Sequence, residues 1–113
     1  MVKSGEFLHC VSEGSSIRDA VESLNSSNLK IVLVTSEDGK LISTVTDGDI
    51  RRGLLEGYGL DDPITLVAQT QFIWAGQSTS EEELARILQE EQISQIPIVD
   101  SFGFLVRLHP GKV

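Results

Sequence analysis

The residues best placed to do chemistry in this 113-residue chain fall in one run, TVTDGDIRRG, at positions 44–53. It offers the Thr46 hydroxyl, the carboxylates of Asp47 and Asp49 around Gly48, and the guanidinium groups of Arg51 and Arg52. Three chemistries fit that set. Thr46 and Asp49 have the spacing of a helix capping box, in which the hydroxyl accepts from the amide three residues on and the carboxylate reaches back. Asp47 and Asp49 could ligate Mg²⁺, although such a site normally needs a further acid and room for a nucleotide sugar, and the spacing indicates neither. A helix starting here would also present free amides and a partial positive charge to a phosphate. Gly48 would let that ligand approach the backbone, and Arg51 and Arg52 could add charge-assisted bonds. The residues alone leave these readings open.

Other sets are poorer. His9 and Cys10 are adjacent in an expected strand, so their side chains point to opposite faces and form no nucleophile–base pair. With His109 they complete the chain's histidines and cysteines, too few for a zinc site. Cys10 reads as a small core residue and His109 as a surface residue near a frayed end. No catalytic residue is assigned, and the chain is not read as an enzyme.

The elements that must position the 44–53 run repeat along the chain. SSIRDAVESLNSSNLKIVLVTSEDGKLI (15–42) aligns without a gap on TSEEELARILQEEQISQIPIVDSFGFLV (79–106), at a shift of 64 residues. Ser16 falls on Ser80, Leu24 on Leu88, Leu29 on Ile93 and Gly39 on Gly103. Each copy opens with a helix: Ser15 or Ser16 caps Ile17, Ala20, Val21 and Leu24, while Thr79 or Ser80 caps Leu84, Ile87 and Leu88. Glu81, Glu82 and Glu83 suit the positive first turn of the second helix and read as solvated. A hairpin follows in each, around SEDG and around DSFG. Pro97 lacks a ladder donor and is expected at a strand start or an edge.

A further helix, Asp47 to about Glu56, should turn Ile50, Leu54 and Leu55 inward. Gly57 and Gly59 end it and Pro63 prevents its resumption. Short strands are expected at Phe7–Val11 and Phe72–Ala75. Phe72, Ile73 and Trp74 read as core or dimer contacts, and Tyr58 as a surface loop residue. The first unit therefore spans 1–66; the second, 67–113, stops before its closing helix. The two together form one module.

Composition narrows the function. The chain carries 9 Lys+Arg against 17 Asp+Glu, a net charge of −8, which repels a polyanion, so no nucleic acid partner is expected. A small anion remains compatible, because a local cluster outweighs charges screened beyond about 8 Å. No apolar run is long enough to cross a membrane and no secretory leader is visible. A lone cysteine suits a reducing compartment, so a cytoplasmic location is expected.

The order of elements, with TVTDGDIRRGLLEG, LDDPI and EEELARIL…QISQIPIVDSFGFLV, resembles a pair of cystathionine β-synthase (CBS) domains, a Bateman module. The likeness runs from about Phe7 to His109. The first two words look like the CBS segment found beside sugar-phosphate nucleotidyltransferase domains. The resemblance implies an α/β tandem repeat with pseudo-twofold symmetry, here truncated at the second repeat's C-terminal helix, and ligand clefts between its sheets. It also implies a regulatory module that senses an adenine nucleotide (AMP, ADP or ATP) or a related phosphorylated ligand and controls a nucleotidyltransferase domain absent from this chain. No cofactor is required, and homodimers are expected. The alternative is a dimerisation module without a ligand.

The family's nucleotide signature, Thr/Ser-x-x-Asp, matches Thr46 to Asp49. By analogy Thr46 contacts phosphate and Asp49 accepts from the ribose hydroxyls, with Gly48 and Arg52 beside them. Lys30 and Ile31 correspond to the contacts around adenine. Ser43 departs from the pattern where glycine is usual. In the second repeat Arg107 replaces that glycine, and Pro110 and Val113 stand at the signature positions. One standard site per chain is therefore expected.

Overall fold

The computed structural model describes residues 10–27 and 29–110. Its elements run β1 (Cys10–Ser12), α1 (Ile17–Ser27), β2 (Ile31–Thr35), β3 (Leu41–Thr46), α2 (Asp47–Leu55), a 3₁₀ turn (Ile64–Leu66), β4 (Ala75–Gly76), α3 (Glu81–Glu91), β5 (Ile96–Val99) and β6 (Leu105–His109). They form two three-stranded sheets, β1-β2-β3 and β4-β5-β6, each with one parallel and one antiparallel pair. This is the α/β repeat expected from the sequence.

The repeat is visible atom by atom. α1 shifted by 64 residues coincides with α3, and the register of each hairpin slips at matching places, Val34/Thr35 and Ile98/Val99. Ser16 and Asp19 form a reciprocal capping box on α1 (2.9 and 3.2 Å), and the Glu83 amide donates to Ser80 Oγ at 3.1 Å on α3. Gly39 and Gly103 take φ of 96° and 92°, values that suit glycine in a tight turn. The two turns then meet: Leu41 N donates to Gly103 O (3.0 Å) and Leu105 N to Gly39 O (3.2 Å). That exchange of equivalent bonds is the mark of an approximate twofold between the hairpins.

Strand alternation distributes the core. Val32 and Val34 on one face of β2 pack with Ile17, Ala20, Val45, Ile50 and Ile64 of the first unit and with Val67, the first residue of the second. Leu33, on the other face, meets Cys10, Leu105 and Leu108 between the two sheets. Leu84, Ile96, Ile98 and Ala75 form the second unit's core, with Ile87 and Leu88 packed against it.

Several expectations need correction. In α2 only Ile50 of the three named apolar residues is inward; Leu54 is 46% and Leu55 82% exposed. Gly53 takes the inward place, because a Cβ there would lie 2.4 Å from Val67 Cγ1; the helix can rest on the 3₁₀ turn only without one. Tyr58 is half-buried against the first core: Gly57, at φ 104°, reverses the chain, and Tyr58 N bonds Gly53 O at 3.0 Å.

The strand expected at Phe72–Ala75 is only Ala75–Gly76, and Trp74 is 57% exposed. Pro97 has no N–H to offer a neighbour, and parallel pairing starts at the residue after it, Ile98. Pro97 is the second residue of a central strand, close to the expected start and not at an edge. His109 belongs to β6, with a side chain only 17% exposed, beside Glu81 (3.7 Å) and Arg107 (3.3 Å). The first strand is described from Cys10 to Ser12 only; Phe7, Leu8 and His9 lie outside the described residues, as does Val113.

Candidate functional site

Thr46 ends β3 in an extended conformation (φ −117°, ψ 170°) and caps α2. The capping box is complete. Asp49 N donates to Thr46 Oγ1 at 3.3 Å, and Asp49 Oδ2 accepts from Thr46 N at 2.8 Å and Thr46 Oγ1 at 3.0 Å. Asp49 is only 5% exposed, and its second oxygen, Oδ1, accepts from Arg52 Nη2 and from Gln69 Nε2 (3.1 Å). Arg51 instead pairs with Asp47 on the solvated side of the helix. The two arginines therefore differ: Arg52 belongs to the corner and Arg51 does not.

This corner is one wall of a cleft of about 590 Å³. All six residues singled out from the sequence line it: Lys30 and Ile31 where β2 begins, and Thr46, Gly48, Asp49 and Arg52 where β3 becomes α2. The size is that of a small-molecule site. No ion pair to Lys30 forms among the described residues, so its ammonium is available to an anion. The α2 amides at Gly48 and beyond add the dipole of a helix start. Among the described residues no group of three or more His, Cys, Asp or Glu side chains gathers as metal ligands would.

Sequence reasoning missed the opposite walls. Gln69, Gln71, Phe72 and Ile73 come from the segment between the repeats, and Gln92, Ile93, Ser94 and Gln95 from the turn before β5. Ser94 and Gln95 are the 64-residue equivalents of Lys30 and Ile31, so the repeat itself carried the signal that both strand starts meet in one cleft. Gln69 had no such signal. It is brought in by a two-way backbone exchange with Thr44 (3.0 and 2.8 Å), a lone bridge to the edge of β3. Of the three residues read as core or dimer contacts, Ile73 packs against the second unit's core, and Phe72 and Trp74 border a smaller groove of about 250 Å³ beside Leu41 and Val99. Cys10 is buried between the sheets, which pushes its thiol up to about 12 and makes it a packing residue without nucleophilic character.

Two α/β units that exchange hairpin contacts and face each other across a strand–helix corner make a CBS-like fold. Residues 6–56, which contain that corner, match the family model of the CBS domain. Among solved structures, a putative acetoin utilization protein (AcuB) from Vibrio cholerae superposes with a TM-score of 0.81 at 18% identity, covering 96% of this chain and 83% of that one. A CBS domain protein from Pyrobaculum aerophilum, complexed with AMP, gives 0.76 at 20%, covering 95% and 86%. At these identities the likeness is one of fold. Arabinose 5-phosphate isomerase GutQ of Salmonella typhi is 27% identical over 105 residues, 93% of this chain and 33% of that protein. The chain spans about a third of the length of the curated relatives it matches.

Proposed function

We propose that the chain is a regulatory module that binds an adenine nucleotide or a related phosphorylated ligand in the 590 Å³ cleft. The observation that carries this is the convergence of Lys30, Ile31, Thr46, Gly48, Asp49 and Arg52 on that one cleft, from two separate stretches of sequence. Phosphate sits at Thr46 and the first turn of α2, within reach of Arg52; ribose sits at Asp49; the base lies along Lys30 and Ile31. The AMP bound by the Pyrobaculum protein supports the choice of ligand class. Residues 1–66 and 67–113 act as two repeats of one module, with a single standard site in the first. The module controls a catalytic domain acting on sugar phosphates, such as a nucleotidyltransferase; the similarity to a sugar-phosphate isomerase supports the sugar-phosphate part of that reading. A ligand regulates only by binding two arrangements unequally, so the readout lies in the partner domain or in a homodimer interface.

Calorimetry with AMP, ADP, ATP and nucleotide sugars tests the proposal. Thr46→Val should spare adenosine and weaken AMP by about 1.5–3 kcal/mol, the worth of a hydrogen bond to a charged group. Asp49→Ala should weaken both. Silence of the wild type across the panel favours the second reading, a dimerisation module, for which Leu54, Leu55 and Leu66 supply exposed apolar surface.

A further inference from the structure

We propose that Gln69 gates the ribose-binding side of Asp49, so that it sets the preference of the cleft for ligands carrying a vicinal diol. The inference rests on the nucleotide reading above and concerns a residue outside the Thr46–Asp49 signature. A carboxylate offers about four lone-pair positions, and here the chain's own donors take all of them. Thr46 N and Thr46 Oγ1 fill Oδ2 (2.8 and 3.0 Å), while Arg52 Nη2 and Gln69 Nε2 (3.1 Å) fill Oδ1. A diol that donates both hydroxyls to Asp49 must displace two of the four.

The donors are not equally replaceable. The Thr46 N–H bond is half of the capping box, and losing it frays α2; the Thr46 hydroxyl proton leaves Oδ2 when that hydroxyl turns to the phosphate, while its oxygen still accepts from Asp49 N. Arg52 is charged and carries several N–H groups, so it can share the carboxylate or turn one edge to a phosphate while holding Asp49 with another. Gln69 is the remaining neutral donor, and neutral donors bind a carboxylate more weakly. Its backbone is pinned by the exchange with Thr44 at 3.0 and 2.8 Å, but the residue is exposed, so the carboxamide can turn to water once its bond to Asp49 is broken. Displacement thus costs one weak bond and a few side-chain torsions. The freed carboxamide, with both a donor and an acceptor, stays in the cleft beside the ligand. Because Gln69 lies on the segment joining the repeats, the exchange also marks occupancy on the chain that leads to β4.

The test compares AMP with 2′,3′-dideoxy-AMP by calorimetry on the wild type, Gln69→Leu and Gln69→Ala. Removing the carboxamide leaves an acceptor position open, so AMP should bind roughly three- to tenfold more tightly, while dideoxy-AMP changes little. In the wild type, the Gln69 side-chain amide resonances should move on adding AMP and stay in place with dideoxy-AMP. An AMP-to-dideoxy ratio that is unchanged in both variants, or AMP weakened in both, overturns the gate and leaves the nucleotide reading intact. AMP binding by the variants but not by the wild type supports the gate. AMP binding by none of the three proteins overturns the gate and the nucleotide reading together.

Discussion

Removing the Asp49 carboxylate has a stability effect that a count of its hydrogen bonds misjudges. Asp49 accepts four bonds and is 5% exposed. At about 1.5–3 kcal/mol for each bond to a charged group, simple addition for Asp49→Ala gives roughly 6–12 kcal/mol. The surroundings argue for much less. The Arg52 side chain is 63% exposed, so it returns to water, and an ion pair of that kind is worth about 0–1 kcal/mol. Gln69 is exposed and rehydrates as easily. Thr46 loses the partner of its backbone N–H and of its hydroxyl proton, while its Oγ1 still accepts from the amide of residue 49. The main loss is therefore one orphaned, half-buried N–H and half of a capping box, about 2–3 kcal/mol in total. Urea denaturation measures it directly, and Thr46→Val with the double mutant completes a cycle. Because both side chains serve one box, the double mutant should lose clearly less than the sum of the single losses. A loss below about 0.5 kcal/mol, or strict additivity, refutes this account of the corner.

The other predictions concern packing and pH. Gly53→Ala should destabilise by about 1–3 kcal/mol despite alanine's better helix propensity, since its Cβ would meet Val67 Cγ1 at 2.4 Å. Adding Val67→Ala should recover part of that loss; a stabilised Gly53→Ala would show that α2 does not rest on the turn as described. The Cys10 thiol ionises near 9.0 when unperturbed and near 12 in the folded chain, so the unfolded state loses its proton first as pH rises. The stability advantage of the wild type over Cys10→Ala should therefore shrink through that window, by up to about 1.4 kcal/mol per pH unit. Parallel stability curves for the two proteins from pH 8 to 11 count against it.

Local order determined what the sequence could show. Ser16, Ser80 and Thr46 mark helix starts because a short hydroxyl side chain can satisfy an amide within its own turn, a condition written entirely in neighbouring residues. Gly39 and Gly103 mark hairpin turns for the same local reason, and their common spacing exposes the repeat. The Thr46–Asp49 box needs only a three-residue interval, so its geometry was legible too. Whatever depends on residues distant in the chain was not. Leu54 and Leu55 carry the right type for a buried face, yet the side of α2 that turns inward was decided by Val67 resting on Gly53. Phe72–Ala75 read as a strand, but only Ala75 of it pairs, with Ile98 after Pro97, more than twenty residues on. Gln69 reaches Asp49 only because a lone bridge to Thr44 holds it at the edge of β3. A hydrogen bond between side chains twenty residues apart leaves no periodicity or composition to read; it exists only once the backbone has closed the loop between them.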